Sequence, residues 1–160
     1  MDFEQLYSAY SPRIFRVCLG YFNDAEKAKD VMQDTFVTVF ENLGRMKHQE
    51  NISGWIYRIA SNKCLRQLAH ERKNDLANNY HVLNAAATES SLVEDDFVKL
   101  HRCIASLPPL DRLIIGFFLE DVKQEKIADI VGLSHTNVRV RIHRIKDVLA
   151  KKMKNDESQF

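Results

Sequence analysis

The residues best suited to contact a ligand lie between positions 124 and 145. Ala128, Gly132 and Val138 stand at offsets of 4 and 6. A helix-turn-helix asks for that set: a small residue where its helices touch, glycine in the tight turn, and an aliphatic residue holding the second helix down. Ser134 is a good N-cap for the second helix. At about 100° per residue, Val138, Ile142, Ile145 and Leu149 share one sector and face a core. The other side presents Thr136, Asn137, Val140, His143 and Arg144, flanked by Arg139, Arg141 and Lys146. These groups can bond base edges or phosphates in a major groove. A solvated amphipathic helix has the same periodicity; the turn glycine, cap and basic stripe together favour DNA.

Two further sets stand upstream. Arg58, Asn62 and Arg66 recur at i, i+4 and i+8, with Ser61 and Lys63 beside them and Trp55 and Tyr57 nearby. A basic helical face carrying an amide and aromatic rings suits a single strand: phosphates on the cations, an unstacked base on Asn62. Core packing is the other reading of Trp55. Earlier in the chain Asp30, Gln33, Asp34 and Glu41 lie opposite an apolar face of Met32, Phe36, Val39 and Leu43. Taken alone, that acidic face needs no more than solvation and helix-dipole compensation.

Catalysis finds little support. His48, His70, His81, His101, His135 and His143 show no metal-ligand spacing, and His101 and Cys103, two apart on a helix, point away from each other. Cys18, Cys64 and Cys103 make neither a disulfide framework nor a C-x-x-C pair. The 5 glycines are isolated, so no phosphate-cradling loop is available. No catalytic residue, metal or cofactor is implied.

The elements that must position these faces are helices. In 160 residues, 45% of them apolar, Gly and Pro are scarce and apolar positions repeat at helical spacing, with no alternating strand pattern. The expected fold is all-α: two small helical domains joined by a flexible linker, the C-terminal one containing the helix-turn-helix. The spacing predicts a helix start at Ser11-Pro12, a helix from Asp24 to Leu43 stopped by Gly44, a loop over 45–52, and a helix capped by Ser53 reaching about Lys73. Periodicity fades over 74–91, which places the domains at 1–75 and 94–155 with a linker over 76–93. Helices are then expected near 93–106, 110–119, 123–131 and 135–153, with a break at Pro108-Pro109. A formal net charge of +1 hides segregation: residues 139–154 carry a net +6 and 58–73 a net +4, whereas 24–41 carry −3 and 89–96 carry −4. Clustered bases on helices fit a polyanionic partner. No stretch approaches the roughly 18 to 20 apolar residues of a membrane span, and no signal segment follows Met1, so a cytoplasmic protein without membrane insertion is expected.

In sequence order, Asp30-Val-Met-Gln-Asp-Thr-Phe36, Gly54-Trp-Ile-Tyr-Arg-Ile-Ala-Ser-Asn62, Leu107-Pro-Pro-Leu-Asp-Arg112 and the stretch from Glu125 to Arg144 resemble one family. It is that of bacterial RNA polymerase sigma factors of the extracytoplasmic-function (ECF) type, which keep only conserved regions 2 and 4. The resemblance covers about residues 3–73 and 97–152. It implies that Asp30, Gln33 and Asp34 dock on the clamp helices of the polymerase β′ subunit. It implies that Arg58, Ser61, Asn62, Lys63 and Arg66, with the loop near 45–52, take the −10 element. Thr136, Asn137, Arg139, Val140, Arg141, His143 and Arg144 would read the −35 element beside the β flap. Promoter DNA, core RNA polymerase and an anti-sigma protein are the implied partners.

The sequence departs from the family pattern twice. Arg66 stands where an acidic residue is common, four positions beyond Asn62. Asp121, Val122 and Lys123 replace Gly-Leu-Ser before the first helix of the helix-turn-helix; lysine offers no capping acceptor, so Asp121 is expected to cap one turn earlier. Three other functions compete with the resemblance: an enzyme, an adaptor binding RNA or acidic protein, and a stand-alone helix-turn-helix regulator binding palindromes as a dimer.

Overall fold

The computed structural model describes residues 2–46, 50–78 and 95–157, and no strand occurs among them. Helix α1 spans Phe3–Phe22. Asp2 starts it with a reciprocal capping box: its carboxylate accepts from the Gln5 amide at 2.8 Å, and Gln5 Oε1 accepts from the Asp2 amide at 3.0 Å. The helix start expected at Ser11-Pro12 is not there, because Pro12 lies inside α1. An interior proline costs about 3 kcal/mol. Leu6, Ile14 and Val17, on both sides of it, are each at most 1% exposed, and burying such side chains contributes about 1.5 to 3 kcal/mol apiece. Packing outweighs the break.

Asn23, in the left-handed region at φ 51°, ends α1, and the Asp24 carboxylate caps α2, Ala25–Asn42, through the amides of Glu26 and Lys27. Gly44 does not stop α2 with a left-handed turn; Leu43–Arg45 tightens into one 3-10 turn instead. Helix α3 spans Ile52–Asn78, so Ser53 lies inside it rather than capping it, and the helix continues past Lys73. Residues 47–49 of the expected loop and 79–93 of the expected linker lie outside the described residues.

Helix α4, Asp96–Ala105, is capped by Asp95. Helix α5, Pro109–Leu119, opens on proline at a position where the missing amide costs nothing. Helices α6, Gln124–Val131, and α7, His135–Glu157, complete the chain. The two helical sets do not stand apart: α1 packs on α4 and α5, and α3 packs on α6. Gly116 lets α5 lie close against α1, since a Cβ there would meet Val17 Cγ1 at 3.3 Å. Tyr57 of α3 joins the halves, its ring 5.8 Å from that of Tyr10 on α1 and 5.3 Å from that of Phe117 on α5.

Candidate nucleic-acid interface

The α6–α7 pair is built as its residue spacing requires. Gly132 adopts φ 76°, and its amide and that of Leu133 both donate to the Ala128 carbonyl, at 2.9 and 3.0 Å. This closes the C-terminus of α6. Ala128 and Val138 are buried in the contact, and Ser134 Oγ accepts from the Asn137 amide at 3.1 Å to cap α7. Asp121 does not cap α6. It sits at φ 61° in the turn after α5, where the Glu120, Asp121 and Val122 amides donate back to carbonyls of residues 116–118. Lys123 occupies the cap position without a side-chain bond.

On α7, Val138, Ile142, Ile145 and Leu149 face the core, while Thr136, Asn137, Arg139, Val140, His143 and Arg144 are exposed. Arg141 differs from them. It is partly buried, its Nη1 donating to Asp111 Oδ1 at 3.0 Å and its Nε to Asn137 Oδ1 at 2.8 Å. Lys146 is exposed, but its Nζ lies over the Phe118 ring, 4.3 Å from the centroid.

The face on α3 is only partly open. Asn62 and Arg66 are exposed. Ser61 is 1% exposed, which removes it from that face: with Tyr57, Ala60 and Cys64 it forms the buried stripe at helical spacing. Tyr57 belongs to the same stripe and presents no ring to solvent, whereas Trp55 is half-buried. Lys63 donates to Asp34 Oδ2 at 2.9 Å, bridging α3 to the acidic face of α2. Arg58 Nη2 donates to the Asp129 carbonyl on α6 at 3.0 Å, and Lys126 of α6 bonds the Ser53 hydroxyl. Helix α6 therefore lies across part of the α3 face.

Asp30, Gln33 and Asp34 are all exposed on α2. Lys27, Asp30, Val31, Asp34 and Gln67 line a cleft of about 270 Å³ between α2 and α3. The acidic face continues into apolar residues that periodicity did not single out. Val37 is 53% exposed and Phe40 67%, at i+4 and i+7 from Gln33.

Sequence reasoning also missed the residues that lock the elements together. Arg112 donates from Nε to the Leu107 carbonyl at 2.8 Å and from Nη1 to the Tyr21 carbonyl at 3.1 Å, tying the α4–α5 corner to the end of α1. Burial lowers its pKa from the usual guanidinium value. Only its place in the Leu107–Arg112 motif hinted at a role.

Comparison with known proteins accounts for both halves. The family model described as Sigma-70 region 2 matches residues 6–74, and that described as Sigma-70, region 4 matches residues 97–149. The chain is 24% identical over 171 residues to the ECF RNA polymerase sigma factor SigW of Bacillus subtilis strain 168, covering 96% of this chain and 89% of that protein. It is 24% identical over 131 residues to the RNA polymerase sigma factor SigV of the same organism, covering 81% and 78% of the two chains. In fold it is similar to the sigma factor RpoE of Bartonella quintana, solved with the anti-sigma factor NepR. That match has a TM-score of 0.82 at 18% identity, over 96% of this chain and 97% of that one.

Proposed function

With regions 2 and 4 of the sigma-70 family in order along it, this chain belongs to that family as an ECF-type sigma factor, and from that premise we propose how its faces divide the work. A sigma factor binds core RNA polymerase and directs it to promoters. Residues 1–75 form the region 2 domain, 76–93 a linker and 94–155 the region 4 domain. Asp30, Gln33 and Asp34 of α2 dock on the β′ clamp helices. Arg58, Asn62, Lys63 and Arg66 of α3 hold the non-template strand of the −10 element. The exposed face of α7 reads the −35 element as a duplex, beside the β flap.

The energetics of melting follow from this division. Extruding a base costs a few kcal/mol. Stacking offsets about 1 to 3 kcal/mol per base, and an amide adds bonds to the base edge. Capture of the strand on α3 therefore drives opening without a nucleotide-hydrolysing step, and the chain supplies position rather than catalysis. It works in the cytoplasm, where the polymerase is; no helix among the described residues is long and apolar enough to cross a membrane. An anti-sigma protein is the expected inhibitor, supported by the fold neighbour solved in such a complex.

The observation that carries this reading is the order of three exposed faces on one chain: acidic on α2, basic on α3, and a basic outer face on the helix-turn-helix. Its test is run-off transcription with core polymerase and a promoter library. Promoter-dependent transcripts are expected; a dimer that binds palindromes tightly and ignores core polymerase would overturn it.

About 25 base pairs separate −35 from −10, or about 85 Å at 3.4 Å per pair. A compact chain of this length has a radius of gyration of about 15 Å, so it is roughly 40 Å across. The packed arrangement cannot reach both elements. The α1–α5 and α3–α6 contacts must part when the promoter is engaged, which also releases Arg58 from the Asp129 carbonyl.

A further inference from the structure

We propose that Asp111 is a positioning residue for promoter reading, which acts through Arg141 to fix the side chain of Asn137 as a hydrogen-bond donor toward one base of the −35 element. The proposal rests on α7 being the −35 reader. Asn137 stands in the first turn of α7, the part of a recognition helix that approaches base edges. Its backbone is fixed by the Ser134 cap, Oγ to amide 3.1 Å. Its side chain is fixed by Arg141, whose Nε donates to Oδ1 at 2.8 Å. Arg141 in turn is held by Asp111 on α5, Nη1 to Oδ1 3.0 Å.

The physical reason for the chain lies in burial and charge. The Asp111 side chain is 17% exposed and that of Arg141 33%, so both are screened less than a surface pair. Asp111 lies in the first turn of α5, where the helix dipole favours a carboxylate. A planar guanidinium pinned at Nη1 by Asp111 has its Nε–H aimed in one direction. That direction is the Asn137 amide oxygen. With Oδ1 committed to a charge-assisted bond, rotating the amide would forfeit it, so Nδ2 is the group left to face outward.

A fixed donor discriminates among bases. In the major groove it is accepted by N7 and O6 of guanine, O4 of thymine and N7 of adenine, and rejected by the N4 amino group of cytosine. Without Asp111 the Arg141 guanidinium is free to swing to a phosphate. The Asn137 amide can then flip and accept from cytosine.

The test uses the full chain assembled with core polymerase, and measures binding to promoters carrying all four bases at each −35 position. Asn137→Ala should flatten preference at one or two neighbouring positions, by about five- to tenfold. Asp111→Asn and Arg141→Lys should flatten the same positions. Asp111→Glu should retain the preference. Because Asp111 acts only through Asn137, the Asp111→Asn/Asn137→Ala pair should be no worse than Asn137→Ala alone. Thermal unfolding of each variant separates these effects from loss of fold. Equal weakening at every position by Asp111→Asn, or additive losses in the double variant, would overturn the proposal. A wild-type complex indifferent to every −35 base would overturn it through its premise, the assignment of α7.

Discussion

Arg16 on α1 and Glu120 at the end of α5, 104 residues apart in sequence, form a two-pronged ion pair across the seam between the helical sets. Nε lies 3.0 and 2.9 Å from the two carboxylate oxygens, and Nη2 lies 2.6 Å from one of them. The Glu120 carboxylate raises the Arg16 pKa above its usual value. Half of the Arg16 side chain is exposed, so the pair contributes about 0.2 to 1 kcal/mol to closure. Its importance lies in where it sits. It spans the contact that is proposed to part when the two promoter elements are engaged.

Charge reversal at this pair should open the free chain. Arg16→Glu or Glu120→Arg should lower energy transfer between dyes on α2 and α7 and raise affinity for a −10 non-template oligonucleotide about fivefold. The double exchange should restore both. Gly116→Leu should open the seam further, because even a Cβ at that position would press on Val17. Oligonucleotide affinity that stays the same in all variants would show that α6 does not compete for α3.

Asn62 is exposed on α3, whereas the acidic face proposed to dock on the polymerase lies on α2. Asn62→Ala should therefore slow open-complex formation, followed by permanganate reactivity, at unchanged affinity for core polymerase. Equal loss of both would assign Asn62 to folding.

Lys63 and Asp34 are assigned to different partners, the promoter strand and the polymerase, yet they neutralise each other at 2.9 Å. Lys63→Gln should weaken −10 capture and leave core affinity the same or higher, since Asp34 is released. Asp34→Asn should do the reverse, weakening core binding, measured by competition against labelled wild type. The Lys63 side chain is 18% exposed and that of Asp34 64%. A variant of Lys63 thus carries the greater cost in stability, which urea unfolding would report.

The helix-turn-helix was legible because its signals are local. A turn glycine, a cap and a 3.6-residue apolar stripe fix α6 and α7 within one stretch of chain. The helix break at Ser11-Pro12 was misread for the complementary reason: what holds α1 together across Pro12 is burial against residues distant in sequence. Ser61 was placed on the open face by its neighbour Asn62, although its spacing from Tyr57 and Cys64 put it in the core stripe. Asp111, Glu120 and Asp129 could not be found from sequence. Each acts on a residue between 30 and 104 positions away, and only the packed fold brings the partners together.

Tyr21 offers a test of the core that is independent of any partner. The side chain is fully buried, and its hydroxyl has no hydrogen-bond partner among the described residues. Burial pushes its pKa up to about 12, from an ordinary value of 10. The folded state thus favours the neutral hydroxyl, a contribution fully present below pH 10 and lost as pH rises toward 12. Phenylalanine has no proton to lose. Tyr21→Phe should match the wild type or exceed it by up to about 1 kcal/mol at pH 8, since it removes an unsatisfied buried group. At pH 11 the gap should widen in favour of phenylalanine by about 1.4 kcal/mol, because the unfolded tyrosine has ionised while the folded one has not. Urea unfolding of both proteins at the two pH values measures the difference. A constant gap would mean that the Tyr21 hydroxyl ionises as readily inside the fold as outside it.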